Sequence, residues 1–159
     1  MGRGFRRILV PHDFSTHADR ALRTALDLAA RAGARLTVLH VTSPIALQQG
    51  FPPTVTLHPP TTETLAELTA YLRRRVTRVR ARTRSAVPTC RVTVGDPDRE
   101  IVAAAGGADL VVMGTQGLTG LPHLLIGSVA EKVVRHSPVP VMTVPRGRAR
   151  RATRSSARS

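Results

Sequence analysis

The chain has 159 residues, 42% of them apolar and 21% charged, enough for one core of ordinary composition and too short for two domains of the usual size. Lys and Arg outnumber Asp and Glu by 24 to 10, a net charge of +14, yet Phe, Tyr and Trp make up only 3%, which weighs against binding by stacking bases on aromatic rings. The single cysteine, Cys90, excludes an intrachain disulfide and a thiolate zinc cluster, and without an apolar run of about eighteen residues there is no transmembrane helix, so a cytoplasmic location is expected.

Ile8-Leu9-Val10, closed by Pro11, is too short for a signal-peptide core and reads as a first strand. Asp13 or Ser15 can cap the next element, a helix. Ala18, Ala21, Leu22, Ala25, Leu28, Ala29 and Ala32 give that helix one apolar face, with Arg20, Arg23, Asp27 and Arg31 opposite, and Gly33 ends it. Leu36–Val41 is a second, buried strand. From Thr42 to Pro60 the residues Pro44, Gly50, Pro52, Pro53, Pro59 and Pro60 leave only a long loop. A helix starting near Thr62 carries an apolar stripe of Leu65, Leu68, Leu72, Val76 and Val79. Seven arginines between Arg73 and Arg84, without an acid among them, are read as its solvent face.

Thr89–Val94 is the third strand, and Gly95-Asp96-Pro97 opens a short helix with Asp96 as N-cap and Pro97 first, stopping at Gly106-Gly107. The unbroken apolar run Asp109–Met113 predicts a strand buried on both faces, hence central in a parallel sheet. Ser128-Val129-Ala130-Glu131 reads as a capping box opening a helix that ends before Pro138. Val139–Val144 is the last strand, confined to an edge by Pro140. Beyond the domain, taken as residues 1–145, the segment 146–159 has six arginines, no acid and no apolar period, and is expected to be a basic disordered tail.

This strict alternation implies an α/β fold, a doubly wound, five-stranded parallel sheet with helices on both faces. With strand order 3-2-1-4-5, ligands bind beyond the carboxyl ends of the strands at the reversal, where Asp13 and Gly114 flank one crevice. Gly114 and Gly117 offer positive φ and bare main-chain N–H groups to an anion. Gly127 and Ser128 stand where a helix N-terminus favours phosphate. The same glycines also serve as ordinary strand-to-helix turns, with Ser128 a plain cap. Walker, G-x-G-x-x-G and G-x-S-x-G patterns are absent, which makes Ser128 a poor nucleophile.

Ile8-Leu9-Val10-Pro11-His12-Asp13-Phe14-Ser15, Leu39-His40-Val41 and above all Gly114-x2-Gly117-x9-Gly127-Ser128 resemble the universal stress protein family, in its ATP-binding, single-domain branch. The resemblance implies a flavodoxin-like sandwich that binds ATP, is often a homodimer, and serves in stress tolerance. It places Pro11, Asp13 and Val41 at the adenosine, Met113, Gly114, Gln116 and Gly117 along the ribose and phosphate approach, and Gly127, Ser128 and Val129 at the phosphates. Gln116 departs from the Arg or His that relatives often carry.

Hydrolysis would need a positioned water and charge neutralisation, with Mg²⁺ accompanying the nucleotide. His123 is read as a surface residue and His12 and His40 as structural, so no catalytic residue is assigned, and the expected activity is nucleotide binding with at most slow ATP hydrolysis. Val139, Val141 and Val144 on a bare edge point to a homodimer through the last strand. Two other readings stay open: a nucleotide-free interaction module of the same fold, and a nucleic-acid-associated protein acting through its arginines by counterion release.

Overall fold

In the computed structural model the described residues are 4–43, 60–81, 83, 86–115 and 126–145. The apolar runs become β1 (Arg7–Pro11), β2 (Arg35–Thr42), β3 (Thr89–Val94), β4 (Leu110–Gly114) and β5 (Val141–Val144), separated by α1 (Thr16–Ala32), α2 (Thr62–Arg80), α3 (Pro97–Ala105) and α4 (Ser128–His136). The strands form one sheet in the order β3-β2-β1-β4-β5, every pair parallel, as the alternation predicts.

Side chains alternate across this sheet and feed two apolar layers. Ile8, Val10, Val38 and Val112 point to the side covered by α1 and α2, where Leu22, Leu26, Leu72 and Val76 meet them. Leu9, Leu39, Val111 and Met113 point to the other side, against Ile101 and Ala105 of α3 and Ala130 and Val133 of α4. β4, buried from Leu110 to Met113, lies inside the sheet, between β1 and β5. The strands are also pinned at their amino ends, where the Asp109 carboxylate accepts the main-chain N–H groups of Arg6 and Arg7 at 3.0 and 2.9 Å and the Arg7 guanidinium at 2.9 Å.

Several local expectations are corrected. On α1, Leu26 is fully buried while Leu28 is half-buried and Ala32 exposed, because the contact face follows Leu22 and Leu26 one turn apart. Ser15, rather than Asp13, caps α1, accepting the Ala18 N–H at 3.1 Å. Asp96 stands at the N-cap of α3 with Pro97 behind it, but its side chain makes no capping bond. β5 begins at Val141, after Pro140, on the sheet edge. The arginines of α2 do not all face solvent, since Arg75 turns inward. The loop interior 44–59 and the tail 146–159 lie outside the described residues.

Candidate functional site

β1 ends at Pro11, and the turn into α1 is held by main chain and side chain together. His12 donates its N–H to the Leu39 carbonyl at 2.8 Å, extending the β1–β2 pairing by one bond. Val41, two residues on, directs its main-chain groups to the same side as Leu39, past the last paired residue of β1. The Asp13 carboxylate accepts the Ser15 N–H at 3.0 Å, a local turn that leads into the Ser15 cap. Between them Phe14 takes φ 66°, a left-handed conformation rare for a bulky residue.

On the other side of the reversal, β4 delivers Met113 and Gly114. The positive φ expected of Gly114 is not found there: the glycine with positive φ among the described residues is Gly33, at the end of α1. Gly114 is paired with Val144 in the sheet, and a Cβ there would lie 3.2 Å from the main chain of His17. It is small because β4 and the first turn of α1 nearly touch.

The start of α4 also departs from the expected capping box. Gly127 takes the N-cap position in extended conformation, φ −72° and ψ 156°, and no side chain caps the helix. Its N–H donates to the Thr115 carbonyl at 2.6 Å, which holds the turn open and makes Ser128 the first helical residue. The Glu131 carboxylate pairs with Arg135 at 2.9 Å instead of reaching back. The amides of the first turn are thereby left with the positive end of the helix dipole and no side-chain cap, the arrangement that favours an anion.

These pieces border one cavity of about 180 Å³ beyond the carboxyl ends of β1, β2 and β4. Pro11, Asp13, Val41, Met113, Gly114, Gly127 and Val129, all expected at the site, line it. Ser128 is exposed between the lining residues Gly127 and Val129, and Gln116, Gly117 and His123 lie outside the described residues. Sequence reasoning missed Leu39, Pro97, Ile101 and Ala130, which make the wall apolar. The signal was available, since Leu39 and Ile101 sit on the strand and helix that a site at the reversal must touch. A cavity of roughly 150 Å³ already holds a benzene ring, so a planar heterocycle suits this one. A largely apolar cavity lined by one carboxylate and by the start of a helix can hold a flat base, a polar sugar and an anionic group.

The two histidines near the cavity are structural in geometry. His12 is buried, accepting the Phe14 N–H on Nδ1 at 3.1 Å, with Nε2 3.2 Å from the Asp19 carboxylate. His40 donates from Nδ1 to the His12 carbonyl at 2.8 Å. Burial pulls both imidazoles below their ordinary pKa, against the opposing pull of Asp19 on His12 and of the His12 carbonyl on His40. Among the described residues no group of three or more His, Cys, Asp or Glu side chains forms a metal site, and no helix is long and apolar enough to cross a membrane.

The family model described as "Universal stress protein family" matches residues 4–145. The chain belongs to this family. A universal stress protein of Thermus aquaticus, encoded in a sulfhydrylase 3′ region, is 36% identical over 146 residues, covering 88% of this chain and 98% of that protein. Among solved structures, the universal stress protein UspA of Lactobacillus plantarum superposes with TM-score 0.70 at 26% identity, over 91% of this chain and 99% of its own. A universal stress protein solved in complex with cAMP superposes with TM-score 0.66 at 27% identity, over 89% of this chain and 98% of its own. The strand order of this universal stress protein is therefore the family's flavodoxin-like arrangement.

Proposed function

We propose that this universal stress protein binds ATP in the cavity beyond β1 and β4 and acts as a nucleotide-dependent sensor or regulator in the stress response. The observation that carries the reading is the convergence of Pro11, Asp13, Val41, Met113, Gly114, Gly127 and Val129, from four separate segments, on one apolar cavity beside the uncapped start of α4. The relative that binds cAMP supports an adenine nucleotide as the ligand class. Adenine lies against Leu39 and Val41, the Asp13 carboxylate accepts from the nucleoside, and the phosphates extend to the amides of Ser128 and Val129. Mg²⁺ arrives with the triphosphate, which is how this ion is commonly held, by substrate oxygens and water.

Hydrolysis is at most slow on this reading. Both ring nitrogens of His12 are engaged, by Phe14 and Asp19, which leaves that imidazole unsuited to activating a water. Partner choice follows from β5, a sheet edge with Met142 exposed, and the protein is read as a homodimer through that strand. Mass spectrometry of small molecules released from freshly purified protein tests the ligand class. An adenine nucleotide is expected. A nucleotide-free preparation with no thermal shift on adding ATP and Mg²⁺ would favour an interaction module of the same fold.

A further inference from the structure

Helix α2 supplies no residue to the wall of the cavity, yet it is tied to the loop that does. The Arg75 guanidinium forms a two-pronged pair with Asp19 of α1, Nε to Oδ1 at 2.9 Å and Nη2 to Oδ2 at 2.8 Å. Asp19 Oδ1 also meets Nε2 of His12 at 3.2 Å. The far side of the His12 ring accepts the Phe14 N–H, so Nδ1 must be bare and the proton must sit on Nε2, donated to Asp19. Protonating Nδ1 would set an N–H against the Phe14 N–H and break the loop. Phe14, in its left-handed conformation, is clamped between His40, 4.2 Å between ring centroids, and Tyr71 of α2, 4.9 Å away edge-on.

We propose that Arg75 is a positioning residue for the nucleotide cavity: by neutralising Asp19 it keeps His12 in the neutral Nε2–H form whose ring seats residues 12–15, and with them Asp13, against the ligand. The proposal rests on the nucleotide-binding reading above. The groups that bear on His12 are Asp13 beside it, Asp19 from α1, Arg75 and, through Phe14, Tyr71 from α2, and His40 from β2. The carboxylates favour the imidazolium, whereas burial and Arg75 oppose it. Without Arg75, the buried Asp19 carboxylate would draw a proton onto His12 at mildly acidic pH. A charged side chain at the margin of the helix's apolar stripe thus becomes part of a binding site to which its own helix contributes no wall.

The test uses full-length protein stripped of nucleotide. ATP with Mg²⁺ is titrated into wild type, Arg75→Gln and the double variant Asp19→Asn/Arg75→Gln at about pH 8 and about pH 6, with folding checked by circular dichroism. The ratio of variant to wild-type Kd at each pH cancels the ligand's own ionisation. The Arg75→Gln ratio is expected to rise about tenfold on acidification, as the competent neutral fraction falls, and the double variant to return to a pH-independent ratio. An Arg75→Gln ratio equal at the two pH values overturns the proposal. Imidazole ¹⁵N shifts give a second reading, expected to place the His12 proton on Nε2, and a proton on Nδ1 overturns it too. If Arg75→Gln does not fold, Arg75→Met, which keeps the aliphatic stem without the charge, replaces it: the His12 titration midpoint should rise, and an unchanged midpoint counts against the proposal. Wild type that binds no ATP defeats the nucleotide reading and the proposal together, whereas ATP binding indifferent to Arg75 defeats the proposal alone.

Discussion

Gly114 and His17 approach so closely that a Cβ on the glycine would stand 3.2 Å from the histidine's carbonyl carbon and oxygen. The carboxyl end of β4 and the first turn of α1 are in main-chain contact at the rim of the cavity. Main chain cannot retreat as a flexible side chain can. Gly114→Ala is expected to destabilise the fold by about 1 kcal/mol and Gly114→Val by up to about 3 kcal/mol, with ATP affinity falling in step. Urea midpoints measure this, and an alanine variant as stable as wild type would show that the contact yields freely.

Ser128 separates a structural from a ligand-binding role. Its position inside α4, with Gly127 as the cap, means that its hydroxyl makes no capping bond to lose. Ser128→Ala should therefore leave stability within about 0.5 kcal/mol of wild type while weakening ATP by roughly five- to tenfold. A variant that loses stability and keeps its affinity would restore the capping role and remove the phosphate contact.

The architecture was open to reading because each strand and helix announces itself locally: Gly33 stops α1, Pro97 starts α3, and the run from Leu110 to Met113 has no polar face. Of the cavity wall, Asp13, Val41 and Gly114 followed from placing strand ends at the reversal, whereas Pro11, Met113 and Val129 came from the family resemblance. What stayed hidden depends on partners distant in sequence. Arg75 lies 56 residues from Asp19, and within an arginine-rich stretch nothing distinguishes it except its position, three residues after Leu72 and four before Val79. That register, together with an acid at Asp19 on the apolar face of α1, was the available signal. The cap of α4 falls on Gly127 rather than Ser128 because the Gly127 to Thr115 bond that sets it ties the helix start to the residue after β4.

Acid should destabilise the protein through its histidines. Burial lowers the folded-state pKa of His12 and His40 from the ordinary 6.5. The unfolded chain therefore binds more protons below that value, and stability rises with pH. The contribution is fully present above about pH 6.5 and is lost as pH falls from there through the lowered folded values. Urea midpoints measured from about pH 7.5 to about pH 5 should decline, and less so in His12→Gln, whose amide cannot titrate. A wild-type midpoint that stays level over this window would contradict the neutral, buried assignment.

The β5 edge makes a separate prediction. Met142 is 36% exposed on a strand with only one sheet neighbour among the described residues. A second copy covering it would bury that side chain, and Met142→Glu would place a charge there. Analytical ultracentrifugation should find wild type as a dimer at micromolar concentration and the variant as a monomer, with ATP binding per chain retained. A monomeric wild type would remove the homodimer from the account.

Nucleotide binding itself is decided by calorimetric titration of ATP with Mg²⁺ into nucleotide-stripped, full-length wild type alongside Asp13→Ala. Wild type is predicted to show saturable binding at a single class of site, and Asp13→Ala to lose at least about tenfold in affinity while remaining folded. Wild-type protein that takes up no ATP even at millimolar nucleotide, or an Asp13→Ala variant that binds as tightly as wild type, would contradict it.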